Sequence, residues 1–176
     1  MLAGAVLVLG LPLMLFAGLA IWIEDQGPPL FRQMRVGKGG AAYQLLKLRS
    51  MPMNSGDVPS VHAHGLRHTR VGRIIRRMNI DELPQLFNIL RGDMSVVGPR
   101  PALASQVELL RMRRENRSYD CKPGLTGLAQ VNSYDGMPER EKANWDAQYA
   151  ADVSFFGDFR IILRTVLYLF RRPPVY

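Results

Sequence analysis

The sequence nearly lacks cysteine and is poor in aromatic residues. Cys121 is the only cysteine among 176 residues, so the chain forms no disulfide bond within itself. That excludes the small disulfide-stabilised secreted folds and agrees with a reducing compartment. Aromatic residues make up 9%, and no RNA-recognition motif with stacking aromatics is present, so we expect no nucleic-acid partner.

Acidic residues are the minority among the charged ones. There are 15 Asp and Glu against 23 Lys and Arg, which gives a formal net charge of +8. This excess favours anionic partners, and phosphate is the group that anionic lipids, nucleic acids and phosphorylated metabolites share. The net charge alone does not show which of these three kinds of partner the protein binds. The length predicts one domain with one hydrophobic core.

Charge is absent from the stretch Met1–Ile23, which consists mainly of apolar residues. As a straight helix it would measure about 35 Å at about 1.5 Å per residue, enough to cross a hydrocarbon core of about 30 Å. Pro12 would bend or break that helix because it lacks an N–H group and clashes with the preceding turn. Two structures remain open: a spanning helix, straight or kinked, and a helix-break-helix hairpin that enters and leaves on one face.

All Lys and Arg residues follow Phe31. Because cationic residues concentrate on the cytoplasmic side of membrane proteins, the rest of the chain is predicted to be cytoplasmic. A cleaved signal peptide is disfavoured, since no basic residue precedes the apolar run and no small-residue cleavage pattern follows it.

Two strands are predicted next, Leu30–Val36 and Tyr43–Met51, joined by a turn over Gly37–Gly40. The glycines do not form a Walker A loop, because the ending in Lys followed by Ser or Thr is missing. In the second strand, Lys47 and Arg49 are expected to share one face.

Three helices are predicted downstream. Apolar residues recur at helical spacing in Val71–Met78, with Arg76 and other arginines around them. A second helix is predicted over Asp81–Gly92, because Pro84 suits a first turn and glycine ends helices. The third, Phe155–Phe170, is a basic amphipathic helix that either lies among lipid headgroups or packs on a core.

The segment between Met53 and His68 has no periodicity and is rich in Gly, Pro, Ser and His, which predicts a loop. Its histidines, His62, His64 and His68, lack the cysteine or carboxylate pattern of a metal site. We therefore interpret them as solvated loop residues.

The adjacent carboxylates Asp81 and Glu82 are candidate functional residues. Asp81 alone could cap its helix. A helix N-terminus also receives phosphate oxygens, although carboxylates repel phosphate. Both can be accommodated if a divalent cation bridges them and arginines balance the remaining charge. Arg100 suits that purpose, since Pro99 and Pro101 restrict the backbone on either side.

One long run carries a family resemblance. Asn79–Pro101 reads NIDELPQLFNILRGDMSVVGPRP and resembles the monotopic phosphoglycosyl transferases, the bacterial sugar transferases that initiate glycoconjugate assembly. Two shorter blocks, Lys47–Met51 and Lys122–Asn132, resemble the same family. With the Pro-containing apolar segment, Trp145-Asp146 and Tyr149, the likeness extends over nearly the whole chain.

The resemblance implies a two-step transfer. Asp81, matching the Asp of the family's Asp-Glu dyad, would attack the sugar-linked phosphorus of a UDP-sugar, release UMP and keep the phospho-sugar. Polyprenyl (undecaprenyl) phosphate would then accept that group, as the first membrane step of O-antigen, capsule, exopolysaccharide or glycoprotein glycan synthesis. Glu82 would hold Mg²⁺. The residues implied to bind phosphate are Arg100, Arg76, Lys47 and Arg49. Those implied to support the site are Asp93 and Pro99.

The predicted fold is a predominantly helical α+β protein with a single catalytic domain. The resemblance favours the re-entrant hairpin at Pro12. The segments are then a membrane hairpin (1–26), a cytoplasmic catalytic domain (27–154) and an interfacial amphipathic helix with a tail (155–176). The expected location is the bacterial inner membrane, with the catalytic domain on the cytoplasmic face. Membrane lipid is an expected partner, and a homodimer is compatible with the sequence.

Several positions depart from the family pattern. Leu11 stands where Ser often precedes the membrane proline, and this removes a hydroxyl that could bond a freed carbonyl. Leu128 replaces a common Trp, and Tyr134 after Ser133 replaces a common Arg. The chain begins inside the apolar run, which indicates a short natural form or a trimmed one. The change at Leu11 bears on the re-entrant geometry, whereas those at Leu128 and Tyr134 leave the chemistry intact and bear on sugar and nucleotide specificity.

Two other functions fit parts of the sequence. A membrane-tethered module could bind anionic lipid or RNA through its arginines, and such binding would survive Asp81→Asn. A phosphatase or phosphodiesterase using the same carboxylates would release free phosphate or sugar phosphate instead of a lipid-linked product.

Overall fold

The computed structural model describes residues 2–55, 68–134 and 137–169. Within them the chain is predominantly helical with two small sheets, which confirms the predicted α+β class. The helices are α1 (Leu2–Asp25), α2 (Arg70–Arg77), α3 (Gln85–Arg91), α4 (Val107–Glu115), α5 (Leu128–Val131), α6 (Glu139–Ala151) and α7 (Phe155–Leu169). The strands are β1 (Leu30–Val36), β2 (Ala42–Leu48), β3 (Ser95–Val97) and β4 (Gly124–Thr126).

The chain divides into two compact units. The first comprises the chain up to Gln33 together with Gln44–Arg91, and the second comprises Met34–Tyr43 together with the chain from Gly92. Helix α1 therefore belongs to the first unit and α7 to the second. The predicted segments, divided after residues 26 and 154, were defined by expected membrane contact and catalysis instead of compactness. They remain a prediction.

Helix α1 of the first unit is a single helix that runs through Pro12, where the sequence had suggested a break. Its stretch Val6–Asp25 is long and apolar enough to cross a membrane. One stripe is buried within the unit, formed by Leu7, Met14, Ala17 and Ile21. Large apolar side chains elsewhere on the helix are exposed: Val6, Val8, Leu9, Leu11, Leu13, Leu15, Phe16, Leu19, Trp22 and Ile23. An apolar surface of this extent is typical of contact with lipid or with another apolar partner.

The core of the first unit lies where the buried stripe of α1 meets β2, α2 and the segment before α3. It consists of Ala17, Ile21, Leu48, Ile75 and Ile80. Strand β1 is observed as predicted, whereas β2 ends at Leu48, three residues before the predicted end. Helix α2 agrees with its prediction to within one residue.

The predicted helix from Asp81 to Gly92 is only partly correct. Ile80–Glu82 forms a separate 3₁₀ turn, and α3 begins at Gln85. The physical reason is Pro84, which has no N–H to continue an α-helical ladder. The bonds around it are of the tighter i→i−3 kind, such as Leu83 N to Ile80 O at 3.2 Å. The predicted end is correct, since Gly92 follows α3 with a φ of 88°.

The second unit contains a parallel pair of short strands that the sequence did not reveal. In β3 and β4, Ser95 pairs with Gly124 and Val97 with Thr126. The backbones approach closely at Gly98, where a Cβ atom would lie 2.3 Å from the Lys122 carbonyl oxygen. A side chain at Gly98 would therefore disrupt the pair.

Among the described residues, two small cores stabilise the second unit. One is formed by Val97, Tyr149 and Ile161, and the other by Ala102, Leu109 and Ala143. Helix α7 contributes Ile161 and begins at Phe155 as predicted. Its opposite face is exposed and apolar, with Phe155, Phe156, Phe159, Leu163, Val166 and Leu167.

Candidate active site

Asp81 and Glu82 lie together in the 3₁₀ turn of the first unit. Two features fix this turn: Asn79 takes the left-handed conformation with a φ of 54°, and Ile80 packs into the core. Asp81 is 6% exposed, which is unusual for a carboxylate without a role in folding or function. The predicted dyad is therefore one local structural element.

Lys47 contacts the dyad. Its Nζ lies 2.7 Å from Glu82 Oε1, and the two side chains are 20% and 17% exposed. Alternation along β2 places Lys47 on the face opposite Leu46 and Leu48, and on that face it reaches Glu82. The ammonium thus neutralises the carboxylate that was predicted to hold a metal, in addition to any contact with substrate phosphate.

Arg49 has protein partners that occupy its guanidinium. Its Nη atoms donate to both carboxylate oxygens of Asp25, and its Nε donates to the Pro28 carbonyl at 2.7 Å. The side chain is buried. These contacts anchor the end of α1, and the phosphate contact expected of Arg49 stays a prediction.

Arg76 is half-buried on α2, and its Nη1 lies 3.5 Å from His68 Nε2. Because a guanidinium only donates hydrogen bonds, this nitrogen of His68 is the acceptor. Burial lowers the pKa of His68, and the positive charge of Arg76 lowers it further. His62 and His64 lie outside the described residues.

The second unit holds the other predicted site residues, Asp93, Pro99 and Arg100. Pro99 is buried, Asp93 is half-buried and Arg100 is exposed. Burial raises the pKa of the nearby Tyr43 phenol, and the charges of Asp93 and Arg100 also act on it. The sequence did not single out Tyr43, since nothing in the spacing of β2 marks it.

The sequence also gave no indication of two arginines that bind the backbone around Arg100. Arg113 Nη1 donates to the Arg100 carbonyl at 3.0 Å, and Arg35 Nη1 donates to the Pro101 carbonyl at 3.1 Å. Arg113 also forms a buried ion pair with Asp146. Asp146 was noticed as part of the family resemblance, whereas a signal for Arg113 or Arg35 was absent.

The carboxylates suit Mg²⁺ by their chemistry. This ion is usually held by one or two protein carboxylates together with substrate phosphates, and seldom by a complete protein cage. Asp81 and Glu82 supply such a pair. Among the described residues no group of three His, Cys, Asp or Glu side chains that could hold a metal ion is present.

Comparison with known proteins gives a consistent result. The profile of the family described as bacterial sugar transferase matches residues 1–172. A UDP-glucose:undecaprenyl-phosphate glucose-1-phosphate transferase of Caulobacter vibrioides is 47% identical over 88% of this chain and 61% of its own length. The exopolysaccharide production protein PSS of Rhizobium leguminosarum is 39% identical over 90% of this chain and 82% of its own length.

A third relative, a UDP-N-acetylgalactosamine-undecaprenyl-phosphate N-acetylgalactosaminephosphotransferase of Aeromonas hydrophila, is 40% identical over 88% of this chain. The chain spans 61% of the length of the Caulobacter protein and 38% of that of the Aeromonas protein, so it corresponds to a part of each. The match to the family profile nevertheless covers almost all of the present sequence, and the chain belongs to the bacterial sugar transferase family.

Proposed function

We propose that this protein transfers a phospho-sugar from a UDP-sugar to polyprenyl phosphate, with Asp81 as the nucleophile. The observation that carries the proposal is the buried Asp81 beside Glu82, in the same unit as the long apolar helix α1. Reactive carboxylates on a membrane-associated unit suit a reaction in which one substrate is a nucleotide and the other a lipid. The printed names of the Caulobacter and Aeromonas relatives describe that pair of substrates.

In the first step, a carboxylate oxygen of Asp81 attacks the sugar-linked phosphorus of the donor. The bond from that phosphorus to the bridging oxygen breaks, and UMP leaves with the electron pair. The sugar phosphate is then bound to Asp81 as a mixed anhydride. Lys47 pairs with the carboxylate of Glu82, and Arg76 and Arg100 are the residues proposed to offset the negative charge of the phosphates.

In the second step, an oxygen of polyprenyl phosphate attacks the same phosphorus. The anhydride bond to Asp81 breaks, the carboxylate is regenerated and a polyprenyl diphosphate sugar is formed. Glu82, with Asp81, supplies the oxygen atoms that would hold Mg²⁺, whose charge stabilises the phosphate oxygens when it is bound.

The proposed location is the cytoplasmic face of the bacterial inner membrane. The exposed apolar surface of α1 supports insertion into lipid. The re-entrant course is proposed from the family resemblance and from the presence of Pro12, through which α1 is continuous. The exposed apolar face of α7 supports a second contact, parallel to the membrane among the headgroups.

The direct test is UMP release from a panel of UDP-glucose, UDP-galactose and UDP-N-acetylgalactosamine, with Mg²⁺ and undecaprenyl phosphate. The expected result is UMP release with at least one donor, an intact-mass increase of one sugar phosphate without acceptor, and loss of both in Asp81→Asn. Glu108→Gln, an exposed carboxylate change on α4, is the matched control and should behave as the wild type.

Other outcomes would assign another chemistry. Release of free sugar phosphate without a lipid-linked product would indicate a hydrolase. Lipid-linked product without an adduct on Asp81, under conditions that trap intermediates, would contradict the covalent mechanism. A folded protein that releases no UMP from the panel contradicts the proposed function for these donors.

A further inference from the structure

The backbone around Arg100 is held through its carbonyl oxygens. Pro99 and Pro101 have no N–H, so this segment has few donors with which to fix itself. Instead, four consecutive carbonyl oxygens accept hydrogen bonds from outside the segment. The donors are Gly124 N to Pro99 O (2.9 Å), Arg113 Nη1 to Arg100 O (3.0 Å), Arg35 Nη1 to Pro101 O (3.1 Å) and Val36 N to Ala102 O (3.0 Å).

Among these donors, Arg113 is part of a buried ion pair. Its Nε and Nη2 lie 2.9 Å and 2.7 Å from Asp146 Oδ2, and the two side chains are 7% and 2% exposed. Burial raises the pKa of the Asp146 carboxyl, and the Arg113 charge opposes that rise. A buried ion pair loses much of its attraction to desolvation, so an apolar pair of similar volume is often equally stable.

The position of the ion pair indicates a role for its polar atoms beyond stability. Asp146 on α6 fixes the plane of the Arg113 guanidinium from α4, and the remaining Nη1 is directed at the carbonyl of Arg100. Arg100 itself is exposed, whereas the groups that hold its carbonyl are buried. Buried groups therefore hold the backbone from which an exposed guanidinium extends.

We propose that Arg113 and Asp146 are positioning residues for Arg100, and that they hold its backbone so that its guanidinium meets a substrate phosphate in a fixed orientation. The inference rests on the proposed function, because the phosphate-binding role of Arg100 belongs to it. Bidentate contact between guanidinium and phosphate depends on orientation. A displacement of about 1 Å in a group that orients the substrate can cost about 100-fold in rate.

The test replaces the pair with apolar residues, Arg113→Met with Asp146→Leu, in wild type and in Arg100→Ala. Steady-state kcat and KM for the UDP-sugar donor are measured together with UDP binding by titration calorimetry. Arg111→Gln is the matched control, because Arg111 lies on the same helix in exposed pairs with Glu108 and Glu115. Thermal unfolding shows which variants are folded.

A positioning role predicts that the double substitution lowers kcat/KM by about 10- to 100-fold, with no further loss when it is added to Arg100→Ala. Arg111→Gln should match the wild type. A folded double variant with wild-type kcat/KM would overturn the inference, and so would losses that multiply in full with those of Arg100→Ala. Either result leaves the proposed function intact, since the wild type still releases UMP.

Two further outcomes are assigned in advance. If the double variant does not fold, Arg113→Lys takes its place: it keeps the charge beside Asp146 but loses the planar fork, and the same comparison with Arg100→Ala applies. If the wild type releases no UMP, the proposed function fails, and the effect on UDP affinity still decides the inference. Equal UDP affinity in wild type and the pair variant would then refute it.

Discussion

In the first unit, the surroundings of His68 determine which protonation state of its imidazole is favoured. His68 stands beside Arg76, and both burial and that cation favour the neutral imidazole. The unfolded chain has no such environment, and its histidines titrate near pH 6.5, as in model peptides. Folding is therefore coupled to the protonation of His68.

The sign of this coupling gives a prediction at the residue scale. Because the pKa of His68 is lowered on folding, the unfolded state binds more protons between that lowered value and about pH 6.5. The stability that the neutral His68 contributes is fully present above about pH 6.5 and is lost as the pH falls through the lowered pKa. His68→Asn should reduce the loss of thermal stability between about pH 7.5 and 5.5. The measurement is the melting temperature in detergent across that range.

The control for His68 is His64→Asn, which removes a histidine from the segment predicted to be a solvated loop. That variant should keep the acid sensitivity of the wild type. An equal slope of melting temperature against pH in wild type and His68→Asn would show that His68 is not the group responsible.

The sequence predicted the position of a side chain well where that position depends only on neighbouring residues. Asp81 and Glu82 are adjacent, so their common location followed directly, and alternation in β2 placed Lys47 on the face opposite Leu46 and Leu48. Arg49 lies in the same block, but its partner Asp25 is 24 residues earlier. A residue's type does not specify which distant carboxylate it meets, and the anchoring role of Arg49 became visible only in the fold.

At the scale of secondary-structure elements, the end of α1 poses an electrostatic problem. Glu24 and Asp25 lie at its C-terminus, where the helix dipole disfavours negative charge, and no basic residue lies in its last turn. Both carboxylates are compensated from elsewhere in the unit. Asp25 pairs with Arg49, and Glu24 accepts from the backbone N–H groups of Arg70 and Val71 at 2.6 and 2.9 Å.

Glu24 thus acts as a cap for α2, in addition to the cap that Thr69 provides through Gly72 N at 2.8 Å. Glu24→Ala should destabilise the protein by about 1 kcal/mol, as loss of a helix cap usually does. The specific measurement is hydrogen exchange, because the amides of Arg70 and Val71 should lose protection while that of Gly72 keeps it. Glu24→Gln retains one oxygen acceptor and should show a smaller effect.

Unchanged protection of the Arg70 and Val71 amides in Glu24→Ala would contradict the capping role. A general loss of protection through α2 would indicate unfolding of the helix instead of removal of a cap.

Elements were predictable where their own sequence specifies them. The strand β1, the amphipathic helix α2 and the start of α7 follow from periodicity, and these predictions are confirmed. Strands β3 and β4 have three residues each and exist because they pair with one another across the chain. Such short segments carry no periodicity, so only tertiary structure reveals them.

At the scale of the whole molecule, most of the exposed large apolar side chains among the described residues lie on two elements, α1 and α7. We expect both to contact the bilayer, and single cysteines in a Cys121→Ser background can test each. A bimane label at Leu163→Cys on α7 should be quenched by brominated lipids, because that side chain belongs to the exposed apolar face. A label at Glu115→Cys, exposed on the polar helix α4, should not be.

The same cysteine series tests the course of α1. If the segment is re-entrant, a membrane-impermeant maleimide applied from the cytoplasmic side should label Gly4→Cys as well as Glu115→Cys. Labelling of Gly4→Cys only from the opposite side would show that α1 spans the membrane. Equal quenching at Leu163 and Glu115 would contradict an interfacial position for α7.

The bridge between Val36 and Ala102 has a consequence for synthesis in the cell. Arg35 and Pro101, its neighbours in the second unit, are 66 residues apart in the chain. At about 5 to 20 residues per second, the ribosome needs roughly 3 to 13 seconds to add the later partner. During that interval the end of β1 lacks the segment it will bind, and a nascent chain stalled before residue 102 should leave that end of β1 accessible to proteases and chaperones.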